Sequence, residues 1–140
     1  MNRFLTFIIS SFVIFACSVS QSDEEKLERF VKTVDSSINL QDFTKIIIIH
    51  ENDGCPTCIN LFANEHIEQL TKQKTLFIIS ASGAKVDISS FIEHDRENVI
   101  WDSNMDFQQL GILKNSGIIH LDSSGKIIGK ENNKFAKQED

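Results

Sequence analysis

The segment that most constrains the fold is residues 46–62, IIIIHENDGCPTCINLF. The run Lys45 to His50 is apolar and β-branched, which is typical of a strand buried on both faces of a sheet. Residues 52–54 have turn chemistry, and apolar positions three and four apart then predict a helix ending near Lys72. A central strand, a tight turn and a helix therefore follow one another, with two cysteines at the turn, and this order favours an α/β fold.

The remaining apolar patterns complete this architecture. Spacings of three and four after Glu24 predict an amphipathic helix with Asp23 as its N-cap. Residues 76–80 form a second buried-strand pattern, and the intervening helix makes a parallel connection to the first strand. Residues 117–121 and 126–129 flank turn residues and predict a C-terminal β-hairpin. The sequence predicts a mixed central sheet flanked by helices.

One shorter stretch connects these parts. Residues 99–101 predict an extended piece that leads into a helix around residues 105–110, with Asp102 or Ser103 as its cap. Trp101, a large aromatic residue, is expected in the core.

The first residues predict export to a bacterial envelope. Residues 1–16 carry one early arginine and then an unbroken uncharged run that is shorter than the ~20 apolar residues of a membrane span. The end of this run, Ile14-Phe15-Ala16-Cys17, resembles the lipobox of bacterial lipoproteins. The resemblance implies that Cys17 is lipidated and begins a membrane-anchored, periplasm-facing chain. Cleavage after Ala16 without lipid and an uncleaved anchor are the alternatives.

Size and charge limit the remaining possibilities. After a linker over residues 17–23, the chain has room for one domain over residues 24–131, followed by a charged tail over residues 132–140. Its 140 residues carry a net charge of −6, which disfavours nucleic acid as a partner. If Cys17 carries lipid, Cys55 and Cys58 remain as free thiols, and two cysteines three apart outside the cytosol predict a redox pair.

The predicted position of the cysteines suits nucleophilic chemistry. A cysteine attacks a disulfide as its thiolate, and the unpaired N–H groups and dipole of a helix N-terminus stabilise that anion. Cys55 is predicted at the N-cap, with Pro56 at the first helical position, where a missing N–H costs nothing. Cys58, one turn on and more buried, would then resolve the mixed disulfide formed by Cys55. Pro56 and Thr57 lie between the cysteines and affect how well the thiolate is stabilised.

Residues 46–62 resemble the active-site unit of thioredoxin-like proteins. The later pattern from Asp102 through Gly111-Ile112 to Asp122-Ser123-Ser124-Gly125-Lys126-Ile127 resembles the TlpA/ResA branch of that family. The resemblance covers about residues 40–130. It implies a thioredoxin-like fold and a thiol:disulfide oxidoreductase that uses Cys55 and Cys58, needs no cofactor, and exchanges disulfides with protein thiols and a redox partner.

Three positions depart from the family pattern. Ser116 stands where the family has a cis-proline, so the Asn115–Ser116 bond is expected to be trans and substrate docking to be altered. Ile49 replaces the buried acid of thioredoxins, and Glu51, the nearest carboxylate, either relays protons or is a solvated loop residue. Asn52 replaces the threonine of peroxiredoxins, which disfavours peroxidase activity.

Three other interpretations of the cysteine pair stay open at this point. The pair could be a static disulfide, or the domain could be a redox-inactive binding module. It could also be a copper(I) or zinc metallochaperone that binds through Cys55, Cys58 and His50, since His66 lies about two turns along the helix. The direction of electron flow is not set by the sequence.

Overall fold

The computed structural model describes residues 21–92 and 96–135. The predicted export signal, Cys17 and residues 136–140 of the predicted tail therefore lie outside the described part of the chain. The helices are α1 Asp23–Val34, α2 Pro56–His66, α3 Ser89–Ile92 and α4 Asp106–Gln109, with 3-10 turns at Leu40–Asp42 and Ile67–Thr71. The strands are β1 Lys45–His50, β2 Thr75–Ser80, β3 Val99–Asp102, β4 Gly117–Leu121 and β5 Ile127–Asn132.

The five strands form one mixed sheet in the order β3-β2-β1-β4-β5. β1 pairs parallel with β2, and β2 pairs parallel with β3. On the other side, β4 is antiparallel to both β1 and β5. The central β1, the parallel β1–β2 connection and the C-terminal hairpin are all confirmed, and so is an α/β architecture with a mixed sheet flanked by helices.

Helices cover both faces of the sheet. α1 and α4 pack on one face against Ile46 and Ile48, and α2 and α3 pack on the other face against Ile47 and Ile49. All four isoleucines have no exposed surface, because successive side chains of a strand point to opposite faces and both faces are covered here. This explains why β1 is an unbroken apolar run in the sequence.

The start of α1 differs by one residue from the prediction. Ser22 is the N-cap, and its side chain accepts a hydrogen bond from the Glu25 N–H at 3.2 Å. The Glu25 carboxylate in turn accepts from the Ser22 N–H at 3.3 Å, which completes a capping box. The prediction of Asp23 as the cap is wrong, because Asp23 already has helical geometry at the first position of α1.

The N-cap residue of α4 is Met105, so the prediction of Asp102 or Ser103 at that position is wrong. Met105 makes no side-chain capping bond, and Asp102, three residues earlier, binds the free N–H groups of the helix instead. Its carboxylate accepts hydrogen bonds from the N–H groups of Asp106 at 3.0 Å and Phe107 at 2.8 Å. The same carboxylate accepts from the Ser80 hydroxyl at 2.9 Å, across the β2–β3 pair. Asp102 therefore fixes the start of α4 at the carboxyl end of the parallel strands.

Trp101 contradicts its predicted burial. It lies on the edge strand β3 and is 47% exposed, with its ring N–H donating to the Ala81 carbonyl at 2.9 Å. An edge position leaves one side of a large ring without a neighbour, so a hydrogen bond rather than full burial holds it.

None of the described helices combines the length and the apolar character needed to cross a membrane.

Candidate functional site

Cys55 and Cys58 are joined by a disulfide at the start of α2. Their Cα atoms are 5.2 Å apart. Cys55 is the N-cap of the helix and Pro56 is its first residue, as the sequence predicted. Both cysteines are partly buried, whereas Pro56 and Thr57 between them are exposed. The disulfide lies at the carboxyl end of the central strand.

One contact distinguishes the two sulfurs. The Cys58 N–H donates a hydrogen bond to Sγ of Cys55 at 3.2 Å. Because this N–H belongs to the first turn of the helix, it has no partner within the helix and is free to cap the sulfur. When the disulfide opens, the same donor and the helix dipole stabilise a thiolate on Cys55.

Glu51 has a different environment from the solvated loop expected for it. It is only 3% exposed, and its carboxylate accepts from the Ser82 N–H and hydroxyl at 2.6 Å and from the Lys85 N–H at 2.5 Å. Burial alone would raise the pKa of Glu51, but the hydrogen bonds from Ser82 and Lys85 outweigh it, so its pKa lies below the ordinary value. Glu51 anchors the loop that follows β2 beside the cysteine loop.

We expect Glu51→Gln to lower the free energy of unfolding by about 1.5–3 kcal/mol at pH 7, because charge-assisted hydrogen bonds to a buried carboxylate are lost. Since the folded-state pKa of Glu51 is depressed, this stabilisation is present above the unfolded pKa and disappears as pH falls through the folded value. Urea unfolding at pH 7 measures the loss, and faster trypsin cleavage after Lys85 reports the released loop. Glu28→Gln, in an exposed ion pair with Lys32, is the matched control and should cost about 0.5 kcal/mol or less. Equal effects of the two variants would contradict the anchoring role.

Ser116 joins several segments around the disulfide. Ser116 is fully buried, and its hydroxyl accepts a hydrogen bond from the backbone N–H of His50 at 2.9 Å. Its own N–H donates to the Asp53 carboxylate at 2.7 Å, and its carbonyl accepts from the Asn133 N–H at 2.7 Å. Every peptide bond in the described residues is trans, including Asn115–Ser116 as expected. Ser116 thus ties the end of β1, the cysteine loop and the end of the hairpin together.

Asp53 belongs to the turn predicted over residues 52–54, and the sequence predicts no role for it in the site. One carboxylate oxygen is bound by Ser116, while the other is buried and has no partner in the described part of the chain. Burial raises the pKa of Asp53, and the hydrogen bonds from Ser116 offset this only in part. The only sequence signal was an acidic residue two positions before Cys55, and turn chemistry accounts for it equally well.

His50 lies away from the cysteines' helix. Its ring is fully buried, is 5.7 Å from the Phe107 ring, and shares a face of β1 with Ile46 and Ile48, opposite α2. Neither ring nitrogen has a hydrogen-bond partner within the described residues. Burial lowers the pKa of His50 to about 4, and the Asp102 charge only partly opposes this.

The structure does not gather a set of metal donors around the cysteines. In the described residues, no three His, Cys, Asp or Glu side chains are grouped so that they could hold a metal ion. His66 ends α2, about 12 Å along the helix from Cys58. There its ring packs edge-on against Phe62 at 4.5 Å and contacts Gln69 at 2.9 Å.

A groove of about 750 Å³ lies at the other end of the sheet. It is lined by residues that precede β1, β2 and β3, including Phe43, Lys72 and Asn98, whereas the cysteines follow the carboxyl end of β1. The disulfide is thus outside this groove, on a surface where Pro56 and Thr57 are exposed.

The fold and the site define an α/β protein with a disulfide-bonded C-P-T-C pair at a helix N-terminus. No family model, curated protein or solved structure matches the chain.

Proposed function

We propose that this protein is a thioredoxin-like thiol:disulfide oxidoreductase of a bacterial envelope. The observation that carries the proposal is the Cys55–Cys58 disulfide at the N-cap of α2, with the Cys58 N–H donating to the Cys55 sulfur. The topology supports it as well: the strand before the pair is central, with a parallel strand on one side and an antiparallel hairpin on the other. Cys55 is the nucleophile and Cys58 the resolving thiol.

The exchange is balanced in either direction. In reduction of a partner, the Cys55 thiolate attacks a partner disulfide and expels one partner thiolate. The Cys58 thiolate then attacks the Cys55 sulfur of the mixed disulfide and releases the second partner thiol, so two electrons pass to the partner. In oxidation the same steps run backwards, and the partner's dithiol gives its electrons to the Cys55–Cys58 disulfide. The relative potentials of the pair and its partner set the direction.

The cellular setting belongs to the same proposal. Residues 1–16 direct export, and lipid on Cys17 tethers the domain to a membrane, facing the periplasm. The partners are protein thiols or disulfides and a second redox protein that resets the pair. The net charge of −6 gives nucleic acid no basic surface to bind.

The first test traps the intermediate. Reduced Cys58→Ser protein is mixed with glutathione disulfide and with a disulfide-bonded model protein. We expect a stable mixed disulfide through Cys55, seen by mass spectrometry and lost on reduction, because no second thiol is present to resolve it. Cys55→Ser is the matched control and should accumulate much less adduct, since Cys58 lacks the N-cap position.

The other interpretations give different results in this experiment. A static disulfide or an inert module would form adducts at the rate of an ordinary thiol, with no difference between the two variants. A metallochaperone would retain stoichiometric copper or zinc through dialysis and lose it on substitution of His50. Either pattern would overturn the proposed function.

A second measurement sets the direction of electron flow. The midpoint potential of the pair is found by equilibrating the protein with glutathione buffers. A value well below about −250 mV would assign a reductase, and one above about −150 mV an oxidase.

A further inference from the structure

The residues that follow β5 pack against α2. Residues 133–135, here called the C-terminal clasp, turn from the hairpin onto α2. Lys134 forms an ion pair with Glu65 of α2 at 2.5 Å, and the Phe135 ring packs against the apolar cluster beneath that helix. These contacts bring the clasp against the helix that carries the cysteines.

Asn133, the first residue of the clasp, contacts the redox pair. It is only 3% exposed, and its side-chain amide donates a hydrogen bond to the Cys58 carbonyl at 3.4 Å. Its backbone N–H donates to the Ser116 carbonyl at 2.7 Å, and its side-chain oxygen accepts from the Phe135 N–H at 2.9 Å. These two bonds restrain both the backbone and the side chain of Asn133, and they orient its amide group towards the Cys58 carbonyl.

We propose that Asn133 is a positioning residue that sets the balance between the disulfide and dithiol forms of Cys55–Cys58, an inference that rests on the proposed redox function. With the disulfide closed, the Cys58 carbonyl lies within reach of the Asn133 amide. On reduction the S–S bond becomes two thiols, whose sulfurs move apart to van der Waals contact, and we expect the accompanying adjustment of Cys58 to weaken its contact with the restrained Asn133 amide. The hydrogen bond therefore favours the oxidised form.

The test is the equilibrium protein disulfide + 2 glutathione ⇌ protein dithiol + glutathione disulfide, in which two electrons pass from glutathione to the protein. We expect Asn133→Ala to shift this equilibrium about two- to fivefold towards the dithiol, the range of one modest hydrogen bond. Lys134→Ala is the matched control. It removes the neighbouring ion pair with Glu65 but leaves the donor to Cys58, so it should leave the equilibrium as in the wild type.

A purely structural contact gives a different result. It would lower the unfolding free energies of the oxidised and reduced proteins equally, and the redox equilibrium would not move. That outcome, measured by urea unfolding of both forms, would overturn the proposal, whereas a larger loss in the oxidised form would support it.

Asn133→Asp provides a second variant in case the alanine variant folds poorly. It keeps the acceptor for the Phe135 N–H and replaces the donor by a charged oxygen, so it should shift the equilibrium in the same direction by at least as much. An unshifted equilibrium in this variant would likewise count against the proposal. The glutathione equilibrium needs no physiological partner. Failure of the Cys58→Ser trap would therefore reject the proposed function, whereas the effect of Asn133 on the redox equilibrium is tested separately by the Asn133 variants.

Discussion

Replacement of His50 by leucine should make the protein more stable at pH 7 and should reduce the loss of stability between pH 6.5 and pH 4. The imidazole ring is fully buried, and both ring nitrogens lack a hydrogen-bond partner in the described residues. Such groups cost about 1–3 kcal/mol each, so an apolar side chain in this place should stabilise the fold by an amount in that range.

The acid part of this prediction follows from the pKa of His50. Burial lowers it to about 4, against 6.5 for a free imidazole, and the nearby Asp102 charge only partly opposes the shift. The folded state therefore prefers the neutral ring, and the contribution of His50 to the pH dependence of stability begins as pH falls through the unfolded pKa of 6.5. As pH falls towards 4, protons bind the unfolded chain first, and about 3 kcal/mol of stability is lost.

Urea unfolding of the oxidised protein at pH 7, 5.5 and 4 measures both effects. Ile48→Val, two residues earlier on the same face of β1, is the matched control. It should cost about 1 kcal/mol at every pH, because it removes one methylene and no titrating group. If His50→Leu keeps the wild-type dependence on pH, another group causes the acid loss and the assignment to His50 is wrong.

Substitution of Ser116 should have the second large effect. Ser116→Ala leaves the backbone N–H of His50 without its partner in a fully buried site. We therefore expect a loss of about 2 kcal/mol in the free energy of unfolding. Ser116→Pro should cost more, about 3–5 kcal/mol, because it also removes the backbone N–H that donates to the partly buried Asp53 carboxylate.

Ser123→Ala is the control for both variants. Ser123 is an exposed serine of the hairpin turn, and its loss should stay within about 0.5 kcal/mol. Denaturant unfolding at pH 7 compares the three. A proline variant no less stable than the alanine variant would show that the Ser116–Asp53 hydrogen bond contributes nothing to the fold.

Those parts of the fold with a strong local signal could be predicted from the sequence. The apolar run of β1 and the turn between β4 and β5 each depend on residues close together in the chain. The predicted burial of Trp101 is wrong because it depends on whether a further strand covers β3, and none does among the described residues. Local pattern carries no information on which strand lies at the edge of a sheet.

In the candidate site too, local features could be predicted from the sequence and long-range contacts could not. The N-cap position of Cys55 and the place of Pro56 follow from four consecutive residues, and both were predicted correctly. The environments of Glu51 and Asp53 depend on residues about 30 and 60 positions later in the chain, at Ser82 and Ser116. Nothing in the local sequence indicates that Glu51 is buried or that Asp53 is partly buried, and the contact of Asn133 with Cys58 spans 75 positions.

The central position of β1 protects a segment that is prone to self-association. Its segment KIIIIH is uncharged over five residues, rich in β-branched side chains and free of proline and glycine, a composition that favours self-association into cross-β assemblies. In the native sheet β2 and β4 cover both of its edges. Variants that loosen those neighbours should therefore precipitate on heating, and their stability is best measured in denaturant at low protein concentration.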